Sequence, residues 1–585
     1  MRMKHFSFFF FFLFVAMTSC QKDQAPAYKH NDNTVRVRLP ADIKTLNPYL
    51  YRTGYENTVH SLIFQALMDF EPESLKMAPQ LVKSPATIEE ITEGENAGGQ
   101  RFTFEILDEA VWDDGKPVTG QDFEFTLKAL FNPKAPTQRW LAYLDYLTGI
   151  EVDPANPKRF SVLTNSKYFL AEAAISTLVV LPKHIYDPEG VLDNFSFSDL
   201  ASGNPDVSND ERLQQYADRF GSPEFARETV SGSGPYSLVE WVDGQRVVLA
   251  KKPNWWGDAL ADKFVLLQAY PDTIIFLPMP DQTAAATALR NQDLDVSLEV
   301  DSRLFVELRD DPAMQEVYNF FNPPRFVFYY IPLNTKNPKL ADKRVRRALA
   351  HLLNMQEVID VLYDGFGEPL VGPFLPDKPY YHKDLPPIQQ DFEKAKALLA
   401  EAGWTDTDGN GIVDKEIDGQ RVDLKLEFLY TPGSNFQENL SALVQENAKK
   451  VGIEIERVPV ESNVMGERLR NRDYEMAGRG AGASPVNDDP KQLFHTDSDN
   501  PGGTNYARFG TPETDSLIEA IRTAPTDKAR LPLYLKLQEI IYDEQPIIFL
   551  FAPQDKIVVH KRFDAVITRQ RPGVSLRHLK LNTGS

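Results

Sequence analysis

Leu424 to Leu429 reads LKLEFL, Ile453 to Val460 reads IEIERVPV, and Phe436 to Val451 lies between them. In the two short runs apolar and polar residues alternate, which is the period of a half-buried strand. In the middle run Leu440, Leu443, Val444, Ala448 and Val451 recur at helical spacing, with Gly452 where a left-handed stop belongs. A strand, a helix and a second strand in this order predict a βαβ unit with parallel strands. The α/β class follows from that unit.

The pattern continues on both sides. Asp391 is positioned to cap a helix that runs to Ala402, with Ala395, Leu398, Leu399 and Ala402 on one face and Gly403 beyond its end. Tyr534 to Tyr542 reads as a helix that leads through Pro546 into the apolar run Ile547 to Phe551. Thr34 to Leu39 (TVRVRL) and Arg101 to Leu107 (RFTFEIL) alternate as strands do. Arg246 to Ala250 (RVVLA) follows the turn Asp243-Gly244, which marks a hairpin. Antiparallel hairpins therefore accompany the parallel unit.

The first twenty residues bear on the compartment. Arg2, Lys4 and His5 precede the apolar run Phe6 to Met17, and Met17-Thr18-Ser19-Cys20 closes it. The run is shorter than the ~20 residues of a membrane span and fits the apolar region of a signal peptide. Small residues before a cysteine are the pattern of a lipobox, in which Cys20 is acylated and the leader, residues 1–19, is removed. Cys20 is also the single cysteine of the chain, which excludes internal disulfides, CxxC redox chemistry and cysteine-based zinc sites. Residues 20–33 read as a tether. The formal charge of −21 repels nucleic acid and anionic lipid.

Several motifs lead to no chemistry. Gly232 to Tyr236 (GSGPY) lacks the Lys-Ser/Thr and helix start of a phosphate loop and reads as a turn. Asp406, Asp408, Asn410 and Asp414 have the spacing of a calcium loop with Gly411 at its sixth position, yet Ile417 replaces the bidentate acid. A polar turn is the preferred reading of these residues, and calcium binding with Glu416 or Asp418 adapting as the last ligand is the alternative. The nine histidines show no helical pairing with an acid, and no GxSxG or SxxK signal is present. Neither an enzyme nor a cofactor is expected.

Further segments fall in a recognisable order: VWDDGKPVTGQDFEF at 111–125, LPKH at 181–184, GSGPY with Trp241 and NWWG at 254–257, LDV at 294–296, Asn334, DKRVRRA at 342–348, and EKAKALLAEAGW at 393–404. In this order they resemble the large ABC-transporter solute-binding proteins of family 5, the oligopeptide, dipeptide and nickel receptors. The resemblance implies a periplasmic-binding-protein type II-like fold, with two lobes on a hinge and an extra α/β subdomain. Lobe I is expected from 34–75, 186–300 and 545–585, the extra subdomain from 76–185, and lobe II from 301–544.

The same resemblance suggests where a ligand would sit. Peptide receptors of the family pair the ligand's α-ammonium with an aspartate four residues before a proline. Aligned on Pro490 that position is Val486, and aligned on Tyr474-Glu475 it is Ser484, so Asp488 or Asp489 would substitute in a rebuilt loop. Arg479 is a candidate for a ligand carboxylate or for a salt bridge. Trp140, Tyr329 and Tyr330 are aromatic candidates for the cleft, with core packing as the alternative. Asn47 sits in a Leu-Asn-Pro turn beside the cleft, as a contact or a turn cap.

Three functions stay open: a monomeric receptor that delivers peptides to an ABC permease, the same fold with an oligosaccharide or metal chelate, and a surface lipoprotein with a vestigial cleft. An extracytoplasmic, lipid-anchored location is common to them. Gln21 after the cysteine favours the outer membrane where a cell has two.

Overall fold

The computed structural model describes residues 28–141 and 143–582. Cys20, the leader and most of the tether lie outside the described residues. Among the described residues no helix is long and apolar enough to cross a membrane.

The expected βαβ unit is present. Strand Lys425–Tyr430 runs parallel to Glu454–Pro459, and helix Asn435–Lys449 connects them. Ser434 caps the helix, and Leu440, Val444 and Ala448 are its buried stripe. Met476–Ala477 joins the same strand on its other side, also parallel. Asp391 caps helix Phe392–Glu401 by accepting from Lys394 N, and Gly403 takes φ +84° after it. Asp243-Gly244 turns the hairpin between Tyr236–Val242 and Arg246–Lys251.

A seven-stranded sheet organises the first half of the molecule. Thr34–Leu39 lies near its middle, parallel to Thr273–Pro278 on one side and to Val296–Ser297 on the other. The hairpin 236–251 extends one edge, and Ile557–His560 with Tyr318–Phe321 forms the other. An antiparallel four-stranded sheet with helix Gly120–Phe131 occupies the range 87–164. Its buried side chains, among them Phe102, Phe104, Phe123 and Phe160, belong to one continuous core with the large sheet.

Two ranges shift from the sequence expectation. Tyr318–Phe321 hydrogen-bonds to Ile557–His560, so residues 301–321 stay with the first half. Ile547–Phe549 pairs with Val327–Pro332, and Phe551–Pro553 pairs with Gly367–Pro369, so residues 547–553 belong to the second half. The chain therefore crosses between halves at 322–326 and returns at 554–556. The two crossings run side by side: Arg325 N donates to Pro553 O at 3.1 Å and Asp555 N to Pro323 O at 2.8 Å. Strand partners distant in sequence decide these boundaries, and no local period reports them.

Charge is concentrated at the crossings. Arg325 lies between Glu299 at 3.4 Å and Asp555 at 3.3 Å, and Arg571 also pairs with Glu299. The Tyr55 phenol donates to Glu299 at 2.6 Å. Burial pushes Asp555 up to about 6, against the pull of Arg325. Burial likewise lowers Lys556 to about 8.

Candidate functional site

A cleft opens between the two halves. One chamber of about 390 Å³ has Phe70, Trp140, Leu170 and Leu178 of the first half on one wall. Phe328, Phe374, Leu493 and the loop 482–490 form the facing wall. A second chamber of about 570 Å³ is bounded by Tyr51, Asn57, Ser61, Asp69, Arg571 and Arg577 of the first half and by Phe326, Ala483 and Pro485 of the second. Phe70 and Ala483 line both. Each volume lies in the ~300–1,000 Å³ range of small-ligand sites.

The second-half wall rests on a short sheet. Val327–Pro332 is its centre, Ile547–Phe549 lies on one side, and Arg479–Gly482 forms an edge. Edge strands leave a row of backbone donors and acceptors unpaired. Here Gly480 and Gly482 are exposed, and an ideal Cβ on Gly482 would meet nothing within 4 Å.

The acids of the 484–490 loop are already engaged. Asp488 Oδ2 accepts from the Tyr380 phenol at 2.8 Å, and its Oδ1 accepts from Ser484 N at 2.9 Å. Tyr534 donates to the Asp488 carbonyl. Burial raises the Asp488 carboxyl above its usual range, with Lys378 pulling the other way. Lys378 Nζ donates to Ser484 O at 2.6 Å and to Val486 O at 2.5 Å, and burial lowers its pKa. Asp489 accepts from the Tyr168 phenol at 2.9 Å and from Arg522 Nε at 3.0 Å. Asp488 thus lines the chamber while serving the loop's own hydrogen bonds.

Of the other candidates, Trp140 lines the apolar chamber, with its Nε1 donating to Tyr49 O at 3.1 Å. Asn47 is fully buried and caps its turn: Nδ2 donates to Phe220 O at 3.0 Å and Oδ1 accepts from Tyr49 N at 3.1 Å. It does not reach the cleft. Tyr329 packs against Phe436, Tyr363 and Phe551 on the core side of its strand. Tyr330 is 2 % exposed and packs with Phe328 and Phe549 in the core behind the chamber. Strand alternation puts Phe328 on the face opposite Tyr329, where it lines the apolar chamber, and Phe326 just before the strand lines the second. Arg479 stacks over Tyr506 at 5.5 Å, outside both chamber walls, and no salt bridge reaches it among the described residues.

Asp406, Asp408 and Asp414 come together within 4.8 Å. Each is held locally: Asp406 accepts from Gly409 N and Gly411 N, Asp408 pairs with Arg421, and Asp414 accepts from Thr407 N and Oγ1. Asn410 Oδ1 accepts from Ile412 N at 2.7 Å. The GSGPY segment is a structural turn, because Gly232 and Gly234 press on Ile63. Ideal Cβ atoms there would lie 2.3 and 2.6 Å from the Ile63 carbonyl oxygen.

Sequence reasoning missed Phe70, Tyr168, Arg522, Arg571 and Arg577. No motif marks them: Phe70, Tyr168 and the pair Arg571 and Arg577 line the chambers from three distant segments, and Arg522 acts through Asp489. The one available signal was the basic excess of the C-terminal run 569–577 (RQRPGVSLR), which carries three arginines.

A two-lobed α/β body with paired crossings and a cleft between its halves has the architecture of the solute-binding class. The model of the bacterial extracellular solute-binding proteins, family 5, matches residues 76–504, and the chain belongs to that family. The oligopeptide-binding protein AppA of Bacillus subtilis is 27% identical over 527 residues, covering 89% of this chain and 86% of that protein. The nickel-binding periplasmic protein of Escherichia coli is 24% identical, covering 75% of this chain and 73% of its own. The structure of B. subtilis AppA in complex with a nonapeptide superposes with a TM-score of 0.73 at 23% identity, covering 94% of this chain and 99% of that one. Family 5 proteins are extracytoplasmic transport receptors, so this chain is a solute-binding protein and not an enzyme.

Proposed function

We propose that the protein is the receptor of an ABC permease, that it captures peptides in the interlobe cleft by closing its halves about the paired crossings, and that acylated Cys20 ties it to a membrane. The observation that carries the peptide reading is the edge strand Arg479–Gly482 beside the apolar chamber. An extended peptide adds to such an edge through main-chain hydrogen bonds, while alternate side chains enter pockets. The relative named as oligopeptide-binding, and the nonapeptide complex of that relative, support the same ligand class. Among the described residues neither chamber has histidine or cysteine in its wall, which disfavours direct capture of a soft metal ion. The lipobox-like segment before Cys20 supports the anchor, and Gln21 supports the outer membrane where two membranes exist.

Native mass spectrometry of protein purified without unfolding is expected to show a bound peptide. Refolded protein is expected to be stabilised by members of a peptide library, by ~2.7 kcal/mol at a hundredfold excess over the dissociation constant. A library from which no peptide stabilises the refolded protein would sink the peptide reading. Replacing Cys20 by serine is expected to release the protein into the soluble fraction, and retention of that variant on membranes would refute the anchor.

A further inference from the structure

The two chambers differ in chemistry. The first is mainly apolar, and its two acids are engaged by Tyr380 and Ser484 (Asp488) and by Tyr168 and Arg522 (Asp489). The second carries three charged groups in its wall: Asp69, Arg571 and Arg577. Arg571 is paired with Glu299.

Arg577 is under-used. Its side chain is only 11% exposed, and its single hydrogen bond runs from NH1 to Leu266 O at 3.0 Å. A guanidinium has five N–H donors. The rest have no hydrogen-bond acceptor among the described residues. The nearest acid, Asp69, stands 4.0 Å away, beyond hydrogen-bond reach. Asp69 Oδ1 meanwhile takes the Phe70 amide at 2.8 Å. The Asp69 carboxyl is raised above its usual range despite Arg577, while its side chain stays 40% exposed at the chamber. Arg577 lines the chamber, so its remaining donors can exchange water for an anion there, and a charge-assisted pair at a site this little exposed is favourable.

We propose that Arg577 is the site for a ligand carboxylate: the C-terminal carboxylate of a peptide docks on it in a forked, two-hydrogen-bond arrangement, while apolar side chains of the same ligand pass the Phe70–Ala483 junction into the apolar chamber. This inference rests on the peptide reading given above. It makes the ligand an apolar peptide gripped at its carboxyl end, by a residue of the first half. The geometry suits arginine in particular, because a planar guanidinium matches a carboxylate and a lysine ammonium does not.

The test uses the mature protein and two peptide libraries of equal length and apolar composition, one with free C-terminal carboxylates and one C-terminally amidated. Affinities are measured by titration calorimetry. The wild type is expected to prefer the free acids by on the order of 10- to 100-fold, the range of a hydrogen bond to a charged group. Arg577→Gln should erase that preference and Arg577→Lys should keep a fraction of it. Asp69→Asn removes the competing carboxylate and should sharpen it. If Asp69 and Arg577 formed only a structural ion pair, both neutralisations would weaken the protein alike, with no change in the acid-to-amide ratio. That result, or equal wild-type binding of both libraries, overturns the carboxylate site and leaves the peptide reading standing. If the wild type binds neither library, the peptide reading falls, and this inference falls with it.

Discussion

The Tyr168 phenol donates a 2.9 Å hydrogen bond to Asp489, and this contact joins the four-stranded subdomain of the first half to the cleft loop of the second. Arg522 completes the junction, with Nε at 3.0 Å from Asp489 and its guanidinium 4.8 Å from the Tyr168 ring. Phe169 N donates to Arg522 O at 3.1 Å alongside. The halves are thus held together at this side of the cleft by direct contacts between them.

Tyr168→Phe removes one hydrogen bond to a charged acceptor, an interaction of about 1.5–3 kcal/mol. The ligand-free variant is expected to show a larger radius of gyration in solution scattering than the wild type. Asp489→Ala should open the molecule further, because it leaves the largely buried Arg522 with only Glu519 at 3.3 Å. Identical scattering curves for all three proteins would show that this junction does not control closure.

Gly482 lines the apolar chamber, and a side chain there would project into open space. Gly482→Trp is therefore expected to fold with a thermal midpoint close to wild type and to lose at least about tenfold in peptide affinity, since the added ring occupies the ligand's volume. Unchanged affinity, measured by calorimetry, would place the peptide elsewhere.

Two buried groups should give the stability curve opposite slopes with pH. The His60 ring is buried without a partner for either nitrogen among the described residues, and burial lowers its pKa to about 3. The folded state then binds fewer protons than the unfolded one, so stability is lost as pH falls from ~6.5 towards that value. His60→Phe should remove this loss. Asp555 behaves oppositely, because burial raises it to about 6. Its contribution is full below the unfolded value of ~3.9 and is lost as pH rises through the folded one. Urea midpoints of wild type, His60→Phe and Asp555→Asn between those limits test both signs, and parallel curves would contradict them.

Gly234 meets the Ile63 carbonyl where a Cβ would sit 2.6 Å from its oxygen. Gly234→Ala is expected to cost about 1–3 kcal/mol or more, the penalty of overpacking against backbone that cannot yield. A denaturant midpoint equal to wild type would refute the turn-packing role assigned to GSGPY.

The carboxylates of the Asp406–Asp414 loop are engaged by Thr407, Arg421 and the loop's own amides. Adding a chelator is therefore expected to leave the thermal midpoint unchanged. A drop that calcium restores would assign the loop to metal binding.

Much of the architecture was legible because it is written in local periods. The βαβ unit at 425–459, the caps at Asp391 and Ser434, the stops at Gly403 and Gly452 and the hairpin at Gly244 all depend on residues within a few positions of one another. The site was legible only in part. Trp140 and Asp488 do line the chamber, whereas Asn47, Tyr329, Tyr330 and Arg479 do not. One step along the strand separates Tyr329, which packs into the core, from Phe328, which faces the cleft, and the strand's own residues are aromatic on both faces.

By itself, then, the sequence determined the α/β class, the elements and their ends, and the order of segments that marks the family. Only the tertiary structure decided that Tyr318–Phe321 joins Ile557–His560, and so where the chain crosses between halves. It alone brought Arg577 within 4.0 Å of Asp69, and Tyr168 to Asp489. The reason is physical. Helix and strand periods are set by neighbours a few bonds apart, while a cleft is made by groups hundreds of residues apart whose positions depend on how whole sheets pack.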